Sequence, residues 1–247
     1  MNPAFLIILF LSAFLGGMAY FALKPDAINR NFKTLLTFAG SYMFSITLLH
    51  LIPELFEMSH EHGENHFNIG AYILLGFFIQ KVLEFFSSGV EHGHFHQGHS
   101  HHYSPTLLLT SLCIHSFMEG TLLTDVHGHE EAHHGFDLLM GIVIHKAPAA
   151  FVLTMLLSLQ HTQKMVTISL LALFSLASPA GMLLGNMLLT EGKEDLYLIL
   201  YALVAGNFLH ISTTIFIESS PEHKVEFKKI IAIALGVLCA FGIMFFH

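Results

Sequence analysis

The chain has 247 residues, 53% of them hydrophobic and only 11% charged, whereas about a quarter of an ordinary soluble domain is charged. With a mean hydropathy of +0.63 and a net charge of −8, this composition excludes a water-soluble monomer and points to an integral membrane protein. Twenty histidines outnumber the 10 Lys and Arg and the 18 Asp and Glu, and metal chemistry is the function class that uses so many imidazoles. Cys113 and Cys239 both lie inside apolar runs, which leaves neither a disulfide framework nor a Cys-based zinc site.

Apolar segments bounded by polar ones run over 3–23, 32–58, 68–89, 104–125, 135–160, 165–190, 195–218 and 225–246. Each is near the length of about 20 residues that an α-helix needs to cross a bilayer, so the expected fold is an all-α bundle of eight transmembrane helices. The first segment has no basic n-region and no small-residue cleavage site, and reads as a retained helix. Lys24, Arg30, Lys33, Lys164, Lys224, Lys228 and Lys229 all fall at odd-numbered connections, against Lys193 alone at the even ones. Positive loops stay cytoplasmic, which puts both termini outside. No connection is long enough for a soluble domain, so residues 1–247 form a single transmembrane unit.

The third connection, 90–103, is expected in the cytoplasm. It carries His92, His94, His96, His99, His101 and His102 in EHGHFHQGHSHH, a glycine-punctuated stretch that cannot build a core and suits loose binding of zinc, copper or nickel by neutral imidazoles. Two outward connections repeat the theme, with His60, His62 and His66 in one and His127, His129, His133 and His134 in the other.

Ionisable groups inside apolar spans cost several kcal/mol facing lipid, so they face the bundle interior and mark a pathway. In span two, His50 and Glu54 of LLHLIPELFE stand one helical turn apart around Pro53. Span four repeats the spacing with His115 and Glu119 of IHSFMEG, and span five adds His145 and Lys146 ahead of Pro148 in IHKAPAAF. His115, Glu119 and His145 are the expected metal ligands, with His50 and Glu54 along the route and Asn207 and His210 of AGNFLHIST extending it. Lys81 and Glu84, three apart, read as a structural pair. Asp125 and Asp137 mark the outer ends of spans four and five.

Together these motifs resemble the ZIP (Zrt/Irt-like) family of divalent metal transporters over nearly the whole chain. The resemblance is carried by HLIPE in span two, the His-rich loop, HSFMEG in span four, HKAP in span five, and GNFLHI followed by Glu218 and Pro221. It implies a transport site midway across the membrane built from His115, Glu119 and His145, with Ser116 and Lys146 at positions that form a second metal site in some members. Where many members have HNxPEG, this chain has His145 to Ala150 as HKAPAA. One carboxylate is therefore missing, and Lys146 supplies a fixed cation that disfavours a second metal. The expectation is a single-metal site.

The resulting reading is a transporter of zinc, or of Fe2+, Mn2+ or Cd2+, toward the cytoplasm by alternating access, the direction and the sliding of one helix bundle against another resting on the resemblance. No cofactor is expected, only the transported ion. The expected partners are divalent cations and the lipid bilayer, with no nucleic acid, and the expected location is the plasma or inner membrane. Small residues at Gly181 and Gly185, and at Ala232 and Gly236, permit close packing within one chain or in a homodimer. A proton-coupled metal exporter is the alternative. A membrane metalloenzyme is disfavoured because the one H-E-x-x-H run, His129 to His133 of HEEAHH, lies in a connection outside the predicted helices, and the expectation is that it is not an enzyme.

Overall fold

The computed structural model describes residues 3–22, 25–61, 66–87, 105–124, 132–159, 163–188, 194–218 and 227–245. They form helices α1 (Pro3–Ala22), α2 (Pro25–Ile46), α3 (Ile52–Glu61), α4 (His66–Ser87), α5 (Pro105–Thr121), α6 (Ala132–Leu159), α7 (Lys164–Leu188), α8 (Glu194–Glu218) and α9 (Phe227–Phe245). No strand occurs among the described residues. Six stretches, in α1, in α2 to α3, and in α4, α6, α7 and α8, are long and apolar enough to cross a membrane. Helix α5 is shorter than the segment expected around it. Its last turn closes through Leu122 N–H to Glu119 O at 3.3 Å and Leu123 N–H to Gly120 O at 3.2 Å, the tighter bonding common at helix ends.

Helices α2 and α3 are joined without a break by a π-helical segment, Thr47–Leu51, where Ile52 N–H reaches back to Thr47 O. Pro53 has no N–H to donate, so widening the turn just before it lets the backbone bonds shift register and the span continue. In α6, by contrast, the helix runs through Pro148 from end to end.

The helices sort into two groups. Helix α1 packs against α6 and α7, and α5 against α7; α4 packs against α8, and α2 against α9 and α8. The closest crossings are made by glycine. A Cβ on Gly120 or Gly181 would strike the carbonyl of Ser178 or Phe117, locking α5 to α7, and one on Gly76 or Gly206 would strike the backbone of Leu203 or Ile73, locking α4 to α8. One apolar core lies among α1, α5, α6 and α7, around Leu112, Leu153, Leu171 and Phe174; another gathers Leu51, Leu55, Leu139, Ile142 and Phe208. Several buried hydroxyls are satisfied by carbonyls of their own helix, as with Ser45 to Ser41, Thr154 to Ala150 and Ser212 to Phe208. The outer surfaces of α4, α7 and α9 carry exposed Phe78, Phe85, Leu173, Met187 and Leu238, so apolar side chains point outward while the polar ones are inside.

Candidate metal centre

Helix α5 places His115 and Glu119 one turn apart, as their spacing requires, and α6 brings His145 across to them. His115 Nε2 lies 2.8 Å and His145 Nε2 2.5 Å from the same oxygen, Glu119 Oε1. All three side chains are buried, and Glu119 is 0% exposed. Among the described residues this is the group of three His, Cys, Asp or Glu whose ligand atoms lie within 4.8 Å of one another.

The orientation of His145 is set from behind. Its Nδ1–H donates to Gly141 O at 2.8 Å, so in the neutral ring Nε2 is left as a lone pair aimed at the carboxylate. Two acceptors facing each other at that hydrogen-bond spacing call for a shared proton, or for a metal ion that takes the proton's place as the atoms move apart. Two imidazoles and a carboxylate are a zinc-type donor set without the thiolates of a purely structural site. The ring of Phe208 on α8 stands edge-on to His145, centroids 5.7 Å apart, and limits its movement.

Lys146, 1% exposed, lies beside the ligands. Its Nζ is 3.8 Å from Glu119 Oε2 and donates to Ser116 Oγ at 2.9 Å and to Ser178 Oγ. The Ser178 hydroxyl in turn donates to Ser116 O at 2.6 Å, tying α7 to α5, and the Phe174 ring faces the ammonium at 5.3 Å. The expected neighbours Ser116 and Lys146 are thus in place. Ser178 and Phe174 were not anticipated; a hydroxyl beside Pro179 inside an apolar span was the one signal present for Ser178, and Phe174 had none. A small cavity borders the cluster, with Leu36 and Ala39 of α2 and Ile211 and Ile215 of α8 along one side.

None of the other residues expected on a route belongs to this group of three. Glu54 Oε2 accepts a hydrogen bond from Tyr201 at 2.6 Å, and His50 sits half-buried in the π-helical segment. Asn207, with its amide turned to satisfy both ends, donates to Gly76 O at 2.6 Å and Leu203 O at 3.1 Å, an interhelical lock between α4 and α8. His210 faces α4, 3.3 Å from Glu84 Oε2 and edge-on to Phe77. Glu84 also accepts from Lys81 at 3.0 Å, the pair its spacing predicts. His92, His94, His96, His99, His101, His102, His62, His127, His129 and Asp125 lie outside the described residues, as do the side chains of His66, His133, His134 and Asp137.

Comparison with known proteins agrees with this chemistry. The family model described as ZIP Zinc transporter matches residues 91–246, which hold α5 to α9 and all three residues of the cluster. The chain is also similar to zinc transporter ZIP1 of Danio rerio, 23% identical over 253 aligned residues that cover 84% of this chain and 81% of that protein. A family match across well over half of the sequence, on helices that converge a His, Glu, His donor set in an apolar interior, leaves one assignment: the chain belongs to the ZIP zinc transporter family.

Proposed function

We propose that the protein moves zinc across a membrane toward the cytoplasm, one ion at a time, through His115, Glu119 and His145. The observation that carries the reading is the convergence of both imidazole Nε2 atoms on Glu119 Oε1 within 2.8 Å. A mixed imidazole and carboxylate set binds a borderline-soft divalent cation well and still lets it leave, as transport demands. Fe2+, Mn2+ and Cd2+ fit the same donors. The Lys146 ammonium occupies the space beside Glu119 where a second cation would sit, which favours a single-metal site.

In this reading eight helices cross the bilayer with both termini outside, α5 and α9 completing the set, and the exposed apolar side chains face lipid. The 90–103 loop is a cytoplasmic reservoir that takes up released metal. His50 and Glu54, and Asn207 and His210, flank the route on the facing helices. Transport proceeds by alternating access without ATP, in the plasma or inner membrane, and no catalytic step is assigned to any residue.

The test is zinc-65 uptake into proteoliposomes without ATP. Wild type is expected to show saturable uptake, with His115→Ala and His145→Ala each lowering it by at least about tenfold, since loss of a ligand weakens binding at least as much as loss of the groups that orient one. Uptake that is unchanged in both variants rules out this site, and a folded wild type that binds zinc without flux rules out transport.

A further inference from the structure

The charge in the metal centre rides on one group of helices. His115 and Glu119 belong to α5, Lys146 to α6, and Ser178, which holds the ammonium, to α7. The facing group offers this centre an apolar wall: Leu36 and Ala39 of α2, and Ile211 and Ile215 of α8, border the cavity. A carboxylate carried past such a wall without a counter-charge is strongly disfavoured. With metal bound, the ion supplies that charge. Without it, Glu119 needs another cation travelling on the same helices.

Lys146 meets that need without competing for the metal. The carboxylate is divided between two partners, Oε1 toward the imidazoles and Oε2 toward the ammonium at 3.8 Å. That separation is beyond a hydrogen bond, and the Nζ hydrogens are directed to Ser116 and Ser178 instead. The ammonium therefore neutralises Glu119 through space from the Oε2 side, held by its two hydroxyl partners, and leaves Oε1 to the imidazoles.

We propose that Lys146 is a tethered counter-cation that lets the metal-free carrier return across the membrane, so that net zinc uptake requires no second ion on the return leg. This inference rests on the transport reading above. It separates two modes of flux. In net uptake, with a chelator inside the vesicle, every cycle includes an empty return; in exchange, with unlabelled zinc inside, the carrier crosses loaded in both directions.

Zinc-65 flux is measured in both modes for wild type, Lys146→Met and Lys146→Gln, with the membrane potential clamped. The ratio of net uptake to exchange is expected to fall at least about tenfold in each variant, because only the empty crossing meets an uncompensated carboxylate. An unchanged ratio overturns the proposal, whether both modes persist, as they would if a proton shared by His145 and Glu119 supplied the charge, or both fall together, as they would if Lys146 only held the fold. Wild type lacking flux in both modes overturns the transport reading itself, and this inference with it.

Discussion

Glu119→Gln is expected to abolish zinc uptake and to weaken equilibrium zinc binding by at least about 100-fold, more than either histidine variant, because Glu119 is the one anionic member of the set and losing even a group that orients a ligand costs about 10–100-fold. Both imidazoles reach the same oxygen of this side chain, so the change removes the negative charge and the shared contact in one step. The amide keeps the shape, which separates the effect from a packing defect. A second consequence concerns stability. The variant leaves Lys146 as a buried ammonium with two hydroxyl partners and no counter-charge, and breaking a buried pair by removing one partner costs about 3–5 kcal/mol. The unfolding temperature of the metal-free protein should therefore drop even though no volume is lost. Zinc affinity within threefold of wild type would remove Glu119 from the site.

The largest structural effect is expected from Gly120→Val. The first atom added at Gly120 meets the backbone carbonyl of Ser178, which cannot turn aside as a side-chain tip would, and Gly181 faces Phe117 in the same way across the α5–α7 crossing. Overpacking a tight contact typically costs about 1–3 kcal/mol, and here the contact is backbone on both sides. The separation also pulls Ser178 from Ser116 and Lys146, so zinc binding should fall together with stability. Gly70→Ala is the control. Open space surrounds Gly70, and alanine in a helix gains up to about 1 kcal/mol over glycine. Thermal unfolding of the detergent-purified proteins distinguishes the two; equal unfolding temperatures would show that the crossing tolerates separation.

Much of the geometry of the candidate metal centre was legible in the sequence because helical geometry is local. An i, i+4 pair on an apolar helix shares a face whatever surrounds it, so His115 and Glu119 had to lie together, and the presence of His145 and Lys146 in the next span named the partners. Six of the eight expected spans were equally plain, as apolar runs of fixed length. Rotation of a helix about its own axis was not. Helix α8 is apolar nearly all round, so no stripe shows which side faces inward. Its sequence therefore does not say which way His210 turns; in the structure Phe208, Ile211 and Ile215 face the candidate metal centre and His210 faces Glu84 on α4. Pairings between distant helices were hidden for the same reason. Nothing local to LASPAG joins Ser178 to Lys146, and the two sets of glycines that lock α5 to α7 and α4 to α8 carry no mark of their partners.

Zinc K-edge X-ray absorption shows whether one zinc ion is held by His115, Glu119 and His145. The sample is the purified protein with His92, His94, His96, His99, His101 and His102 changed to serine, loaded with one equivalent of zinc. Two imidazoles and carboxylate oxygen are expected at about 2.0–2.2 Å, with the loss of one imidazole in His145→Ala. A spectrum that His145→Ala leaves unchanged would contradict that ligand set.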